Sequence, residues 1–129
     1  MILDAENLFC KDFAVTATCD APNVIDLGMG DAGPSGRLNL FVRASELFTG
    51  SGAITVELAT SDAVNDNGEL VDPVTVARFP VDNAKLAAGG EPLAACGLPH
   101  GMKRYAGVAF TVDGTLADGR VTAGLVWDI

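Results

Sequence analysis

The sequence predicts an all-β domain, and three features of the chain indicate this class. Apolar residues alternate with polar ones at period two in many windows, whereas almost no window shows the 3.6-residue period of a helix. The 15 glycines recur singly between short apolar runs, as expected for turns. The length of 129 residues suits one domain. We therefore predict a single-domain antiparallel β-sandwich, jelly-roll-like, with about eight strands.

The individual strands follow from this alternation and from the turn residues between them. The clearest is Ile54-Thr55-Val56-Glu57-Leu58, which places its three apolar side chains on one face. Strands are expected at residues 13–19, 23–28, 37–48, 53–61, 73–79, 91–97, 104–113 and 120–128. A single helical turn is expected at 83–88, closed by Gly89. Asp118-Gly119 predicts a hairpin between the last two strands, because this dipeptide suits positive φ angles.

The first residues differ from the rest of the chain. Residues 1–12 place Leu3, Leu8 and Phe9 among charged residues without strand-like alternation. We expect them to form a short N-terminal arm, in which Leu3, Leu8 and Phe9 are candidate contacts with a partner. Such an arm packs on its own domain or on a neighbouring subunit, and the sequence leaves both options open.

The charge of the chain limits its partners. Eight basic residues stand against 17 acidic ones, so the formal net charge at pH 7 is −9. Affinity for nucleic acid comes mainly from neutralising phosphates with lysine and arginine, so we expect no nucleic acid as a partner. An anionic membrane surface is disfavoured for the same reason. The expected partners are proteins that offer a basic or apolar surface.

The three cysteines, Cys10, Cys19 and Cys96, cannot all pair within one molecule and form no CxxC motif. The first residues lack a basic signal-peptide region, and no apolar run reaches transmembrane length. We therefore expect synthesis and folding in a reducing cytoplasm, with cysteines that act as small buried apolar residues.

Three motifs suggest chemistry but fail in their context. Residues 28–33 match G-x-G-x-x-G, yet Pro34-Ser35-Gly36 leads into a strand where a dinucleotide fingerprint needs a helix. The acidic segment 62–72 suggests calcium, but an EF-hand alignment on its glycine puts Ala63 and Val74 at ligand positions. A solvated hairpin loop is favoured there, with weak cation binding as the alternative. His100 is the only histidine, so the sequence disfavours a catalytic nucleophile or a metal site that depends on histidine. We expect no catalytic residues, no cofactor and no metal.

The turn at His100-Gly101-Met102-Lys103-Arg104-Tyr105 carries two adjacent positive charges in an acidic chain. One interpretation is that they are ordinary strand-edge charges, or that Arg104 pairs within the chain. The alternative is that the turn contacts a partner surface. Residues 1–31 hold six acids against Lys11 alone, whereas 100–129 balance three bases with three acids. A partner-facing surface is therefore first expected near this turn.

Several segments together resemble a known family. They are residues 1–9 (MILDAENLF), 14–18 (AVTAT), 23–28 (NVIDLG), 98–105 (LPHGMKRY) and 121–126 (VTAGLV). Their order is similar to that of the capsid cement, or decoration, proteins of tailed bacteriophages related to a short-tailed Bordetella phage. The resemblance implies a jelly-roll-like domain that dimerises on the outer surface of the phage head. There it would bridge neighbouring major capsid proteins of the virion, without a cofactor or an active site.

A second function remains open at the level of sequence. Jelly rolls also serve as recognition modules that bind glycans or a host receptor, so the fold class does not decide between the two. Sugar sites usually offer exposed aromatic platforms, whereas the few aromatic residues here fall mostly at core-like positions. This favours the structural role. An enzyme ranks third, because no histidine- or metal-supported site is evident.

Overall fold

A computed structural model describes residues 8–27, 39–88, 92–97 and 102–126. The fold consists of two antiparallel sheets packed face to face. The first sheet has the strand order β1-β11-β4-β8, and the second has β2 and β3 beside β9, followed by β6 and β7. A two-stranded ribbon of β5 and β10 lies outside both sheets. The elements are β1 (Leu8–Ala14), β2 (Cys19–Asp20), β3 (Ile25–Asp26), β4 (Asn39–Glu46), β5 (Thr49–Gly50), β6 (Ala53–Ser61), β7 (Val74–Val81), α1 (Asn83–Ala88), β8 (Ala94–Gly97), β9 (Tyr105–Asp113), β10 (Leu116–Ala117) and β11 (Arg120–Val126).

This strand order is that of a jelly roll, because the strands of the two sheets change sheet at every connection except those from β2 to β3 and from β6 to β7. The predicted all-β sandwich is therefore confirmed. The single helical turn at 83–88 is confirmed as well. None of the helices in the described part of the chain is long and apolar enough to cross a membrane.

The core lies between the two sheets, and in β6 it is built by alternation. In β6, Ile54, Val56 and Leu58 are each at most 1% exposed. Facing them from the first sheet are Leu40 and Val42 of β4, which are fully buried. Because side chains alternate across a strand, the residues between these positions point away from the core and form the outer faces. The outer face of the second sheet carries the candidate site described below.

The central strand β11 is buried on both faces. Val121, Ala123 and Leu125 face the core, but Thr122 and Val126 are also only 2% and 3% exposed. The hydroxyl of Thr122 accepts a hydrogen bond from the Asp12 backbone N–H (3.1 Å) and shares another with Ser45 Oγ (2.7 Å). This pairing satisfies a polar group that the packing removes from water.

The prediction of an arm over residues 1–12 is wrong for residues 8–12. These residues belong to β1, which pairs with β11 through two register shifts. The irregularity conceals the strand in the sequence, because Phe9 and Cys10 are consecutive and yet both are buried in the core. The first seven residues lie outside the described part of the chain.

Two other strand predictions need correction at their boundaries. The strand expected at 13–19 is divided between the end of β1 and the short β2, and that expected at 23–28 is reduced to β3. The predicted strand ends at 28, 37–38, 91 and 127–128 lie outside the described residues.

The predicted hairpin between the last two strands is also wrong. β9 lies in the second sheet and β11 in the first, so residues 114–119 cross between the sheets and contribute β10 to the ribbon. Within this crossing Asp118 takes the positive φ angle of 58°. Gly119 serves another purpose, since a Cβ there would lie 1.8 Å from a ring carbon of Phe48. The glycine permits a close approach of the backbone to a core ring.

Candidate functional site

The predicted contact turn is held against β6 by one buried hydroxyl. Thr60, 1% exposed, donates from Oγ1 to the carbonyl oxygen of Tyr105 at 2.8 Å and accepts from the Lys103 backbone N–H at 2.7 Å. Met102, which belongs to the turn, is buried in the core. These contacts fix the direction in which the side chains of residues 103–105 leave the domain.

Arg104 pairs within the chain, as one of the two sequence interpretations proposed. Its Nε and Nη2 donate to the two carboxylate oxygens of Asp26 at 3.2 and 3.0 Å, a bidentate arrangement. The guanidinium carbon also lies 5.0 Å from the centre of the Tyr105 ring. The hydrogen bond to Asp26, followed by its charge, raises the pKa of the Arg104 guanidinium. The side chain therefore stays cationic, with its charge balanced locally.

Lys103 reaches the acidic segment on the other side of the turn, where its Nζ lies 3.6 Å from Asp62 Oδ2. Both side chains of this pair are exposed, so the contact is weak. The two positive charges of the turn thus lie beside carboxylates of the same chain. His100, the other predicted contact residue of this turn, lies outside the described residues, as does Leu3.

The predicted contact residues Leu8 and Phe9 of the N-terminal segment lie in different environments. Phe9 is fully buried in the core, so its prediction as a partner contact is wrong. Leu8 is half-buried and lines a shallow groove of about 360 Å³ together with Tyr105 and Asp26. Leu8 is tied there by Asn23, whose side-chain amide donates to its carbonyl oxygen at 3.4 Å. The structure therefore brings Leu8, Arg104 and Tyr105 to one region of the surface.

The acidic segment forms a small hairpin loop, as favoured from the sequence. Val64 and Leu70 form an isolated antiparallel bridge, and Gly68 at the tip has a φ of 79°. Asn65 closes the loop, because its Oδ1 accepts from the backbone N–H groups of Asn67 (2.9 Å) and Glu69 (3.0 Å). No group of three or more His, Cys, Asp and Glu side chains within the described ranges is arranged to hold a metal ion.

The loop packs across the outer face of the second sheet rather than projecting into solvent. A Cβ added at Gly107 of β9 would lie 3.0 Å from Leu70 Cδ1 and 3.8 Å from a Val24 methyl carbon. Leu70 thus rests on the glycine. The side chain of Ser61 at the base of the loop donates to the carbonyl oxygens of Ala63 (3.0 Å) and Val71.

A groove of about 630 Å³ opens beside this loop. Its floor consists of small residues at outward positions of β6 and β9, namely Ala59, Gly107 and Ala109. The loop, from Asn67 to Leu70, and the segment Asp20–Pro22 also line it. The groove therefore crosses the second sheet on the face opposite the core. We call it the β6–β9 groove.

Three carboxylates border the β6–β9 groove. Glu57 is held in place, because it accepts from Thr111 Oγ1 at 3.0 Å and lies 3.7 Å from Arg78 Nε. Asp20 and Glu69 are exposed, and no cation of the described residues forms an ion pair with either. Of these three carboxylates only Glu57 has a cationic neighbour among the described residues, so the groove has an excess of negative charge.

The amino-acid sequence alone does not reveal this groove. Its only signal was that small residues occupy outward positions of two strands, Ala59 in β6 and both Gly107 and Ala109 in β9. These positions become one surface only when β6 and β9 pair with Ala59 opposite Gly107.

The three cysteines are free thiols. Burial raises the pKa of Cys10 from 9.0 to about 11, and it also raises the pKa values of Cys19 and Cys96. Such thiols are poor nucleophiles near neutral pH, because the thiolate is the reactive form.

Comparison with known proteins gives one family. No curated protein matches the chain. The family model of Bbp16, a family of Bordetella phage proteins, matches residues 9–125, which span the jelly roll from β1 to β11. The chain belongs to the Bbp16 family.

Proposed function

We propose that this protein is a non-enzymatic structural component of a phage virion. It binds the outer surface of the head and cements neighbouring major capsid proteins, which stabilises the capsid. The observation that carries the proposal is the phage family match over nearly the whole domain. It is supported by a surface groove with a floor of small residues, a shape that suits a segment of another protein.

The electrostatics of the domain agree with this position. A net charge of −9 disfavours contact with packaged DNA and keeps an outward-facing domain soluble. Many symmetric copies on a shell also let modest affinity at each site add up to substantial stabilisation.

The lining of the groove favours a protein partner over a glycan or receptor sugar. Sugar sites commonly use aromatic platforms, and the described residues that line the β6–β9 groove include no aromatic side chain. Tyr105 lines the smaller groove, but Arg104 already lies 5.0 Å from its ring centre.

The proposal is tested with heads prepared with and without this protein. Electron cryomicroscopy should show its density between capsid subunits, and its removal should lower the temperature at which heads release DNA. Heads of unchanged heat resistance, or a map without bridging density, contradict the proposal. A glycan array provides the complementary measurement, because specific binding there would favour the recognition module.

The role of the turn is tested separately. Lys103→Ala/Arg104→Ala should leave the domain folded, because both side chains are exposed and form only surface ion pairs. If the turn contacts the capsid, the double variant binds heads more weakly. The matched control is Arg43→Ala/Lys85→Ala, which removes the same charges at exposed positions elsewhere. Equal binding by the two variants counts against a contact at the turn.

We also propose that the protein acts as a homodimer or a higher homo-oligomer on the capsid. Sedimentation velocity of the free protein measures the state in solution. A monomer that becomes dimeric only in the map of the decorated head would place dimerisation on the shell, and a monomer in both contradicts the proposal.

A further inference from the structure

The edges of both sheets are poorly suited to adding a strand from a partner. β1 is interrupted by two register shifts, and its Asp12 has a φ of 49°. β7 has a shift that leaves Val76 without a partner residue in β6, and Pro80 lacks an N–H group to donate. β8 has four residues, and β2 and β3 have two each. Bulges, prolines and short strands all prevent edge-to-edge pairing, so recognition of an extended partner segment falls to a face.

The outer face of the second sheet offers such a place in the β6–β9 groove. Leu70 already covers Gly107, but the small residues Ala59 and Ala109 leave room for a main chain or an aliphatic stem to lie on the sheet. Pro73 also lines the groove, and near it Val71 and Val74 are 40% and 48% exposed. The floor and this margin are therefore apolar.

The carboxylates at the rim of the groove carry negative charge, which a bound partner segment must balance. Asp20, Glu57 and Glu69 all line the groove, with Glu57 extending from β6 of the sheet. Arg78 compensates Glu57 at 3.7 Å, but its own side chain is 67% exposed. An apolar floor between carboxylates matches the shape of an arginine or lysine side chain, with its stem on the floor and its charged head at the rim.

We propose that the β6–β9 groove binds an extended segment of a partner protein that carries arginine or lysine. The inference deepens the proposed function and rests on it, because on the head this segment belongs to the major capsid protein. The occupant is specified by its chemistry: an extended main chain, small or apolar side chains towards the floor, and at least one cationic side chain towards Asp20 and Glu69.

The first test measures the groove apart from the head. The probe is a peptide of about seven residues that alternates alanine with arginine, which spans ~23 Å when extended at ~3.3 Å per residue. Its addition should shift the amide NMR signals of Ala59, Gly107 and Ala109, and added salt should reverse the shifts. A peptide with glutamine in place of arginine should not bind. Unchanged signals, or equal effects of both peptides, overturn the proposal.

The second test uses variants of the full chain. Asp20→Asn/Glu69→Gln removes the two uncompensated rim charges and is expected to weaken binding of the arginine peptide and of cement-free heads about tenfold. The control is Asp113→Asn/Glu46→Gln, which changes the net charge equally but at exposed positions that do not line the groove. Equal binding by the two double variants overturns the proposal.

A third variant addresses the floor. Ala109→Phe fills the groove from an outward position of β9, where an aromatic residue suits a strand. It should abolish peptide binding and leave the circular dichroism spectrum unchanged. Failure of the proposed function has a different signature: the unmodified protein would not bind heads at all, while the peptide results would stand.

Discussion

Gly119 provides a sharp test of the packing, because its substitution by alanine places a methyl group inside a core ring. A Cβ at this position would lie 1.8, 2.0 and 2.2 Å from Cδ2, Cε2 and Cγ of Phe48. Since carbon atoms pack at ~3.5–4.0 Å, the ring must move by ~1.5 Å or the chain must shift. Phe48 is 3% exposed and has little space in which to move.

The expected loss of stability follows from this overlap. Overpacking of a dense core costs about 3 kcal/mol at the upper end of its usual range. Replacing glycine also lowers the conformational entropy of the unfolded chain, which offsets ~0.4–1 kcal/mol of this destabilisation. The net destabilisation is therefore about 2 kcal/mol. With an unfolding entropy of ~2.1 cal/mol/K per residue, the Tm of Gly119→Ala should fall by about 8 °C.

The assay is thermal and urea unfolding of a double-mutant cycle. Phe48→Ala alone costs ~3–5 kcal/mol through the cavity it leaves. In that background Gly119→Ala should cost less than about 0.5 kcal/mol, because the ring it would overlap is gone, and this gives a coupling of about 2 kcal/mol. The control is Gly97→Ala, where an added Cβ meets only Asn39 Oδ1 at 3.5 Å. A Tm within about 2 °C of the unmodified protein, or the same cost in both backgrounds, refutes the reasoning.

Four further predictions concern polar groups. The raised pKa of Cys10 means that the folded state holds the thiol proton more tightly than the unfolded state does. The free energy of unfolding should therefore fall as pH rises from about 9 to about 11. In Cys10→Ala, urea unfolding should show a smaller fall over the same pH range, because this thiol no longer contributes. Alkylation at pH 8 should modify Cys19 and Cys96 before the buried Cys10, which mass spectrometry checks. Thr122→Val should cost about 1–2 kcal/mol in urea unfolding, because it leaves the Asp12 N–H without its acceptor; an unchanged midpoint would contradict this. Asn65→Ala should speed hydrogen exchange at the amides of Asn67 and Glu69 with little change in Tm, and unaltered exchange would show that the side chain does not order the loop.

The charged turn shows what a local sequence pattern can predict and what it cannot. The sequence identified Arg104 and left open whether it pairs within the chain. The answer required Asp26, which is 78 residues away and reaches Arg104 because β3 pairs with β9. No local pattern links these two residues, since their contact depends on which strands become neighbours.

The sequence by itself determined the acidic character, the all-β class and the faces of the regular strands. Alternation is a local property: Ile54, Val56 and Leu58 share a face whichever strand lies beside them. Only the tertiary structure decided which sheet each strand joins, so the last two strands, which looked like a hairpin, lie in different sheets. It also decided that Phe9 is core, that Gly119 makes room for Phe48, and that Ala59, Gly107 and Ala109 together form the floor of a groove. A small side chain in a strand acquires this meaning only from its neighbours across the sheet, and those neighbours are set by packing between residues that are distant in the chain.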